Sequence, residues 1–128
     1  MSINLKLAEA LEIWRVALSA SVRDEDAPDL TARQMAILLN VYSGTGSYTV
    51  RGLASDLRVS KPAITRALDR LQDLGYIKRR TDEDDRRSII VQRTIKGSVY
   101  LSDFAEHVVS ALKNLNPDLL SDAELLTL

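Results

Sequence analysis

TVRGLASDLRVSKPAITRALDRLQDLGYIKRRTDEDDRRSIIVQRT, running from Thr49 to Thr94, is the stretch on which the fold turns. Its apolar residues Val50, Leu53, Ala54 and Leu57 recur at helical spacing. Arg58, Val59 and Ser60 then form a short turn into a second helix that carries Lys61, Thr65, Arg66 and Arg70. A helix pair closed by a tight turn, with cations on the exposed face of its second member, can offer that helix to the major groove of DNA. A charged loop between two strand-like runs follows and reads as a second contact. The expected fold is mainly α with a small β-hairpin wing: a winged helix-turn-helix.

Local signals sharpen the boundaries. Thr49 can cap the first helix, and Ser60 can cap the second, because a side-chain oxygen there accepts from a first-turn amide. Pro62 falls in that first turn, where its missing N–H costs little. The second helix should bury Ala63, Ile64, Ala67, Leu68, Leu71 and Leu74, with Gly75 as its stop. Tyr76-Ile77-Lys78 reads as a strand and Ser88 to Gln92 as its partner. The polar stretch from Arg79 to Arg87 then forms the loop between them.

Working outward, Ile3 to Val22 shows one apolar helix face through Leu7, Ala10, Leu11, Trp14, Ala17 and Leu18. Leu5, Ile13 and Val16 widen that face beyond the needs of one small core. Asp24 to Asp29, with Pro28, should be a loop. Thr31 and Gln34 have capping-box spacing and open a helix bearing Met35, Ile37, Leu38, Val41 and Tyr42. Ser43 to Ser47 ends it. Gly44-x-Gly46 lacks the Lys-Ser/Thr pair of a phosphate-cradling loop. Thr94 can cap a long helix to about Leu115, in which Gly97 is a mild local weakness. Asn116-Pro117 should break that helix, and Ser121 with Glu124 could open a last one. The expected organisation is an N-terminal dimerisation helix and linker (1–29), a winged helix-turn-helix (30–96) and C-terminal dimerisation helices (97–128). Dimerisation is expected because the terminal segments carry more apolar surface than a lone domain should expose.

The net charge of −1 averages two unlike regions. Residues 51–100 hold 12 Lys and Arg against 7 Asp and Glu, a balance of +5; the remainder holds 5 against 11, a balance of −6. Segregation of this kind concentrates positive potential where phosphate would lie. The chain has no cysteine, which excludes disulfides, a thiol nucleophile and thiolate metal sites, and agrees with a reducing cytoplasm. No apolar run approaches the ~18 residues of a membrane span, and no secretion signal is visible at the N-terminus. His107 beside Glu106 makes no catalytic pair, since adjacent helical residues do not face each other. The acids Asp82 to Asp85 lack the alternating ligand pattern of a calcium loop. No cofactor or metal is expected.

From Leu30 to Gly97 the chain resembles the MarR family of winged helix-turn-helix regulators. The resemblance rests on Leu53-Ala54, on Val59 to Arg66 and on Leu71 with Leu74-Gly75-Tyr76-Ile77. In the wing it rests on Arg79-Arg80, Asp85-Arg86-Arg87-Ser88 and Val91 to Thr94, with Gly97 behind. One departure stands out: Arg93-Thr94 occupies the place where the family usually has Leu-Thr. The resemblance implies a homodimer, frequently a repressor, that binds double-stranded DNA and can respond to a small-molecule effector. It also implies that Arg87 enters the minor groove while Asp85 orients it.

The candidate DNA-binding residues are therefore Ser60, Lys61, Thr65, Arg66, Arg70, Arg79, Arg80, Asp85, Arg86 and Arg87. Ser60 is expected to cap or to touch phosphate. Arg66 suits a guanine edge, with phosphate the next choice. Arg70 can touch phosphate or pair with Asp69 or Asp73. Arg86 and either Arg79 or Arg80 can take phosphates. The acidic flanks leave open a winged-helix protein-interaction module or antirepressor that does not bind DNA. An enzyme is the remote alternative, because no nucleophile or acid/base constellation is visible.

Overall fold

The computed structural model describes residues 5–115. Ile3, Asn116-Pro117 and the Ser121/Glu124 capping box lie outside the described residues. The elements run α1 (Leu7–Arg23), α2 (Ala32–Tyr42), α3 (Val50–Leu57), α4 (Lys61–Asp73), β1 (Ile77–Thr81), β2 (Ile89–Arg93) and α5 (Ile95–Leu115). They fall into two compact units. The described residues of Met1–Asp29 and Leu101–Leu128 form one, and Leu30–Tyr100 forms the other.

The second unit is built around α4, which packs on α2, α3 and β1. Ile37, Leu38, Leu53, Ile64, Leu68, Leu71 and Ile77 are its fully buried side chains. Each such aliphatic contributes about 1.5–3 kcal/mol by leaving water, so the helix pair and hairpin are held as one body. Helix starts are capped as the sequence suggests. Thr31 Oγ1 accepts from Gln34 N at 3.1 Å while Gln34 Oε1 accepts from Thr31 N at 2.9 Å. Thr49 Oγ1 accepts from Gly52 N at 3.0 Å, and Thr94 Oγ1 from Gly97 N at 3.0 Å.

Helix α4 ends in a Schellman turn. Tyr76 N donates to Leu71 O at 2.9 Å and Gly75 N to Gln72 O at 2.8 Å, with Gly75 at φ 80°. Helix α3 ends the same way, with Val59 N donating to Ala54 O at 3.1 Å, but its left-handed residue is Arg58 at φ 54°. Leu74, at the C-cap of α4, is only half-buried.

β1 and β2 pair antiparallel from Ile77↔Arg93 to Thr81↔Ile89. The first strand is longer than the sequence suggests: Arg79 and Arg80 belong to it, because their backbones pair with Val91 and Ile90. Tyr48 and Thr49 add an edge, with Val91 N donating to Tyr48 O at 2.7 Å and a bridge from Thr49 to Ile90.

In the first unit, α1 runs from Leu7 to Arg23. Leu7, Leu11, Trp14, Leu18 and Val22 are all exposed, at steps of three and four that make one continuous stripe. Arg15 and Glu12 pair at 2.5 Å on the same helix. That hydrogen bond, reinforced by the charge of Arg15, holds the Glu12 carboxyl below its ordinary value. Among the described residues no helix is long and apolar enough to cross a membrane.

Candidate nucleic-acid interface on helix α4 and the hairpin

Helix α4 divides cleanly. Ala63, Ile64, Ala67, Leu68 and Leu71 are buried, whereas Lys61, Thr65, Arg66 and Arg70 are exposed. Lys61 and Thr65 stand one turn apart, as do Arg66 and Arg70. Asp69 lies among these cations but is committed elsewhere, to Arg79. Arg70 makes no ion pair with either Asp69 or Asp73. The cations of this face are thus open to an outside partner.

The start of α4 offers fewer amides than a generic helix N-terminus. Ser60 Oγ accepts from Ala63 N at 3.3 Å. Pro62, in the first turn, has no N–H. This leaves the Ser60 and Lys61 amides as the open donors of that helix start among the described residues. Ser60 still has its hydroxyl proton, so it can cap the helix and donate outward at once.

Strand parity separates the two arginines of β1. Arg79 shares a face with buried Ile77, while Arg80 shares the outward face with Lys78. Arg79 Nε donates to Gln72 Oε1 at 2.8 Å and its Nη2 to Asp69 Oδ1 at 2.7 Å. Its side chain is 23% exposed. Arg79, one of the two sequence candidates for a phosphate, is therefore a strut between β1 and α4. Arg80 keeps an exposed, uncommitted guanidinium.

The hairpin tip is held by its own carboxylates. Asp82 Oδ1 accepts from Asp84 N at 3.0 Å, and Asp85 Oδ1 from Arg87 N at 3.1 Å. Asp82 N donates to Ser88 O at 2.9 Å, and Ser88 N to Asp85 O at 2.8 Å. Asp82 and Asp85 thus work as turn-formers, each satisfying a backbone amide two residues on. Arg86 and Arg87 occupy the centre of the second turn and face water. The Arg87 side chain is 89% exposed, and its Nε lies 3.7 Å from Asp85 Oδ1. That contact is loose enough to orient the arginine without burying its charge.

Behind the hairpin lies an anchor that sequence reading missed. The Tyr42 hydroxyl accepts from Thr94 N at 2.9 Å and lies 2.7 Å from Tyr76 O and 3.0 Å from Thr94 O. It has one proton for those two carbonyls. Thr94 Oγ1 donates to Gly75 O at 2.7 Å. Arg93 donates from Nε to Val41 O at 3.1 Å and from Nη2 to Ser43 O at 3.4 Å, with its guanidinium 5.7 Å from the centre of the Tyr42 ring. The residue that departs from the family pattern thus ties the wing to the C-terminal carbonyls of α2. Its parity with buried Val91 was the available signal.

Arg33 is a second residue that the sequence did not single out. It is exposed on the first turn of α2 and lines a groove that Arg66 also lines. No cluster of His, Cys, Asp or Glu among the described residues could hold a metal ion.

A winged helix-turn-helix with uncommitted cations on its second helix and hairpin tip is the class that fold and site define. Residues 29–88 match the model of the MarR family. The chain is similar to the HTH-type transcriptional regulator YfiV of Bacillus subtilis, with 34% identity over 98 residues, 71% of this chain and 61% of that protein. The chain therefore spans less than two thirds of that relative's length. Its fold is similar to the transcriptional regulator BldR of Sulfolobus solfataricus at 25% identity, with a TM-score of 0.59 over 97% of this chain and 94% of that one. A mutant MarR from E. coli, solved in complex with operator DNA, shares the fold at 23% identity, with a TM-score of 0.60 over 94% of this chain and 79% of that one.

Proposed function

We propose that this chain is a sequence-specific DNA-binding regulator of transcription, not an enzyme, and that it acts as a homodimeric repressor on a pseudo-palindromic operator. The observation that carries the reading is the set of exposed cations on one unit: Lys61, Arg66 and Arg70 on α4, with Arg80, Arg86 and the loosely paired Arg87 on the hairpin. Helix α4 reads the major groove, with Ser60, Lys61, Thr65, Arg66 and Arg70 as contacts. Arg87, oriented by Asp85, enters the minor groove, whose narrow form attracts arginine. Arg80 and Arg86 take phosphates, and Arg79 supports the wing from behind. The exposed stripe on α1 supports a dimer, because an apolar surface of that continuity is a typical partner site.

Selection of bound fragments from random duplex DNA tests all of this at once. The expected product is an inverted repeat with half-sites about 10 base pairs apart. No enrichment at low salt, with capture of a protein partner instead, would replace this reading with the interaction-module alternative.

A further inference from the structure

Between the first turn of α2 and the first half of α4 runs a groove of about 440 Å³, lined by Thr31, Arg33, Gln34, Ala63, Arg66 and Ala67 among others. It has room for on the order of ten waters. Its chemistry is one-sided. No carboxylate lines it, and neither Arg33 nor Arg66 has a hydrogen-bond or ion-pair partner among the described residues. The capping box sets the remaining donors. Gln34 Oε1 is taken by Thr31 N, which leaves the Gln34 side-chain NH2 free to donate, and Thr31 keeps its hydroxyl proton. Ala63 and Ala67 also line it, and their short side chains let a ligand approach the helix closely.

We infer that this groove seats one backbone phosphate of the duplex, held between the guanidinium groups of Arg33 and Arg66. The inference rests on the DNA-binding reading above and extends it to an element outside the helix pair. Two arginines flanking a groove without carboxylates suit a phosphodiester, whose oxygens accept in several directions and whose charge offsets their repulsion. Arg66 belongs to the exposed face of α4, so a phosphate bound there lies on the strand that passes beside the recognition helix. Arg66 then sets register, and base choice falls to Lys61, Thr65 and Arg70.

The test measures binding of the full chain to its selected operator and to a scrambled duplex across a salt series. It adds phosphate-ethylation interference on wild type, Arg33→Ala and Arg66→Ala. Arg33→Ala should keep the wild-type melting curve, since the residue is exposed and alanine favours a helix. It should weaken both duplexes by the same factor and make the log–log salt slope shallower by about 1.8 for the dimer, the share of one phosphate in each half-site. Ethylation should show one phosphate per half-site that wild type requires and that both variants ignore. An unchanged slope for Arg33→Ala, or different phosphates lost by the two variants, overturns the inference. Inorganic phosphate that shifts the Arg33 side-chain NMR signal without competing with duplex would assign the groove to a free phosphate ligand and overturn it too. Absence of wild-type binding to any duplex would instead defeat the DNA reading itself.

Discussion

Gly97 and Tyr42 fix each other's place: a Cβ at Gly97 would overlap both the Tyr42 hydroxyl and the carbonyl of Tyr76. The hydroxyl can reach the backbone at Thr94 only because position 97 has no side chain. Gly97→Ala should therefore cost about 2–3 kcal/mol, the scale of overpacking in a tight core. Urea unfolding followed by circular dichroism measures it. Adding Tyr42→Phe should restore part of the loss, since the overlap with the hydroxyl disappears while those with the ring carbon and the Tyr76 carbonyl remain. A fully additive double variant would separate the two residues.

Arg58 holds a left-handed conformation at φ 54° in the turn between α3 and α4. A residue with a Cβ pays roughly 1 kcal/mol there, and glycine does not. Arg58→Gly should raise the urea midpoint, with a gain of at most about 1 kcal/mol because glycine also loosens the unfolded chain. A lower midpoint would mean that the arginine makes a compensating contact.

Arg79 and Arg80 should separate in experiment. Arg79→Ala removes the bonds to Asp69 and Gln72. It should cost up to about 1 kcal/mol in stability, as expected of a partly exposed pair. Arg80→Ala should leave stability unchanged and make the salt dependence of DNA binding shallower by about 1.8, one phosphate from each protomer of the dimer. Reversed results would show that the outward arginine is the structural one.

Arg87→Ala should weaken operator binding without moving the melting curve, because the side chain is 89% exposed. Asp85→Ala should weaken it through the turn, since Asp85 Oδ1 accepts from Arg87 N at 3.1 Å. Minor-groove footprinting with hydroxyl radicals reads both. Protection at the wing that survives in Arg87→Ala rules that side chain out.

The stripe of Leu7, Leu11, Trp14, Leu18 and Val22 should be covered by a second copy. Trp14→Glu, at its centre, would set a charge in that contact and should yield a monomer in sedimentation analysis. A wild-type chain that is monomeric at every concentration excludes the dimer.

The helix pair was legible because its signals are local. Thr49, Ser60 and Thr94 each cap the next helix through neighbours three residues away. The division of α4 into buried and exposed faces follows from spacing alone. The role of Arg79 was harder to read because a run of charged residues looks like a loop. Period-two alternation from Ile77 held the answer, since it turns Arg79 inward and Arg80 outward. The anchor formed by Tyr42, Arg93 and Gly97 was not legible: its contacts join residues 34 and 52 positions apart, and no local pattern encodes them. Arg33 escaped notice because it stands alone in sequence and meets Arg66 only across the groove.

The hairpin tip ties its own backbone down through Asp82 and Asp85 before any partner arrives. A loop already ordered in this way surrenders little freedom on docking. Calorimetry of the association should then lack the large negative heat-capacity change that accompanies folding on contact. The wing would behave as a preset tooth, and discrimination between sites would fall to the shape of the groove that receives it.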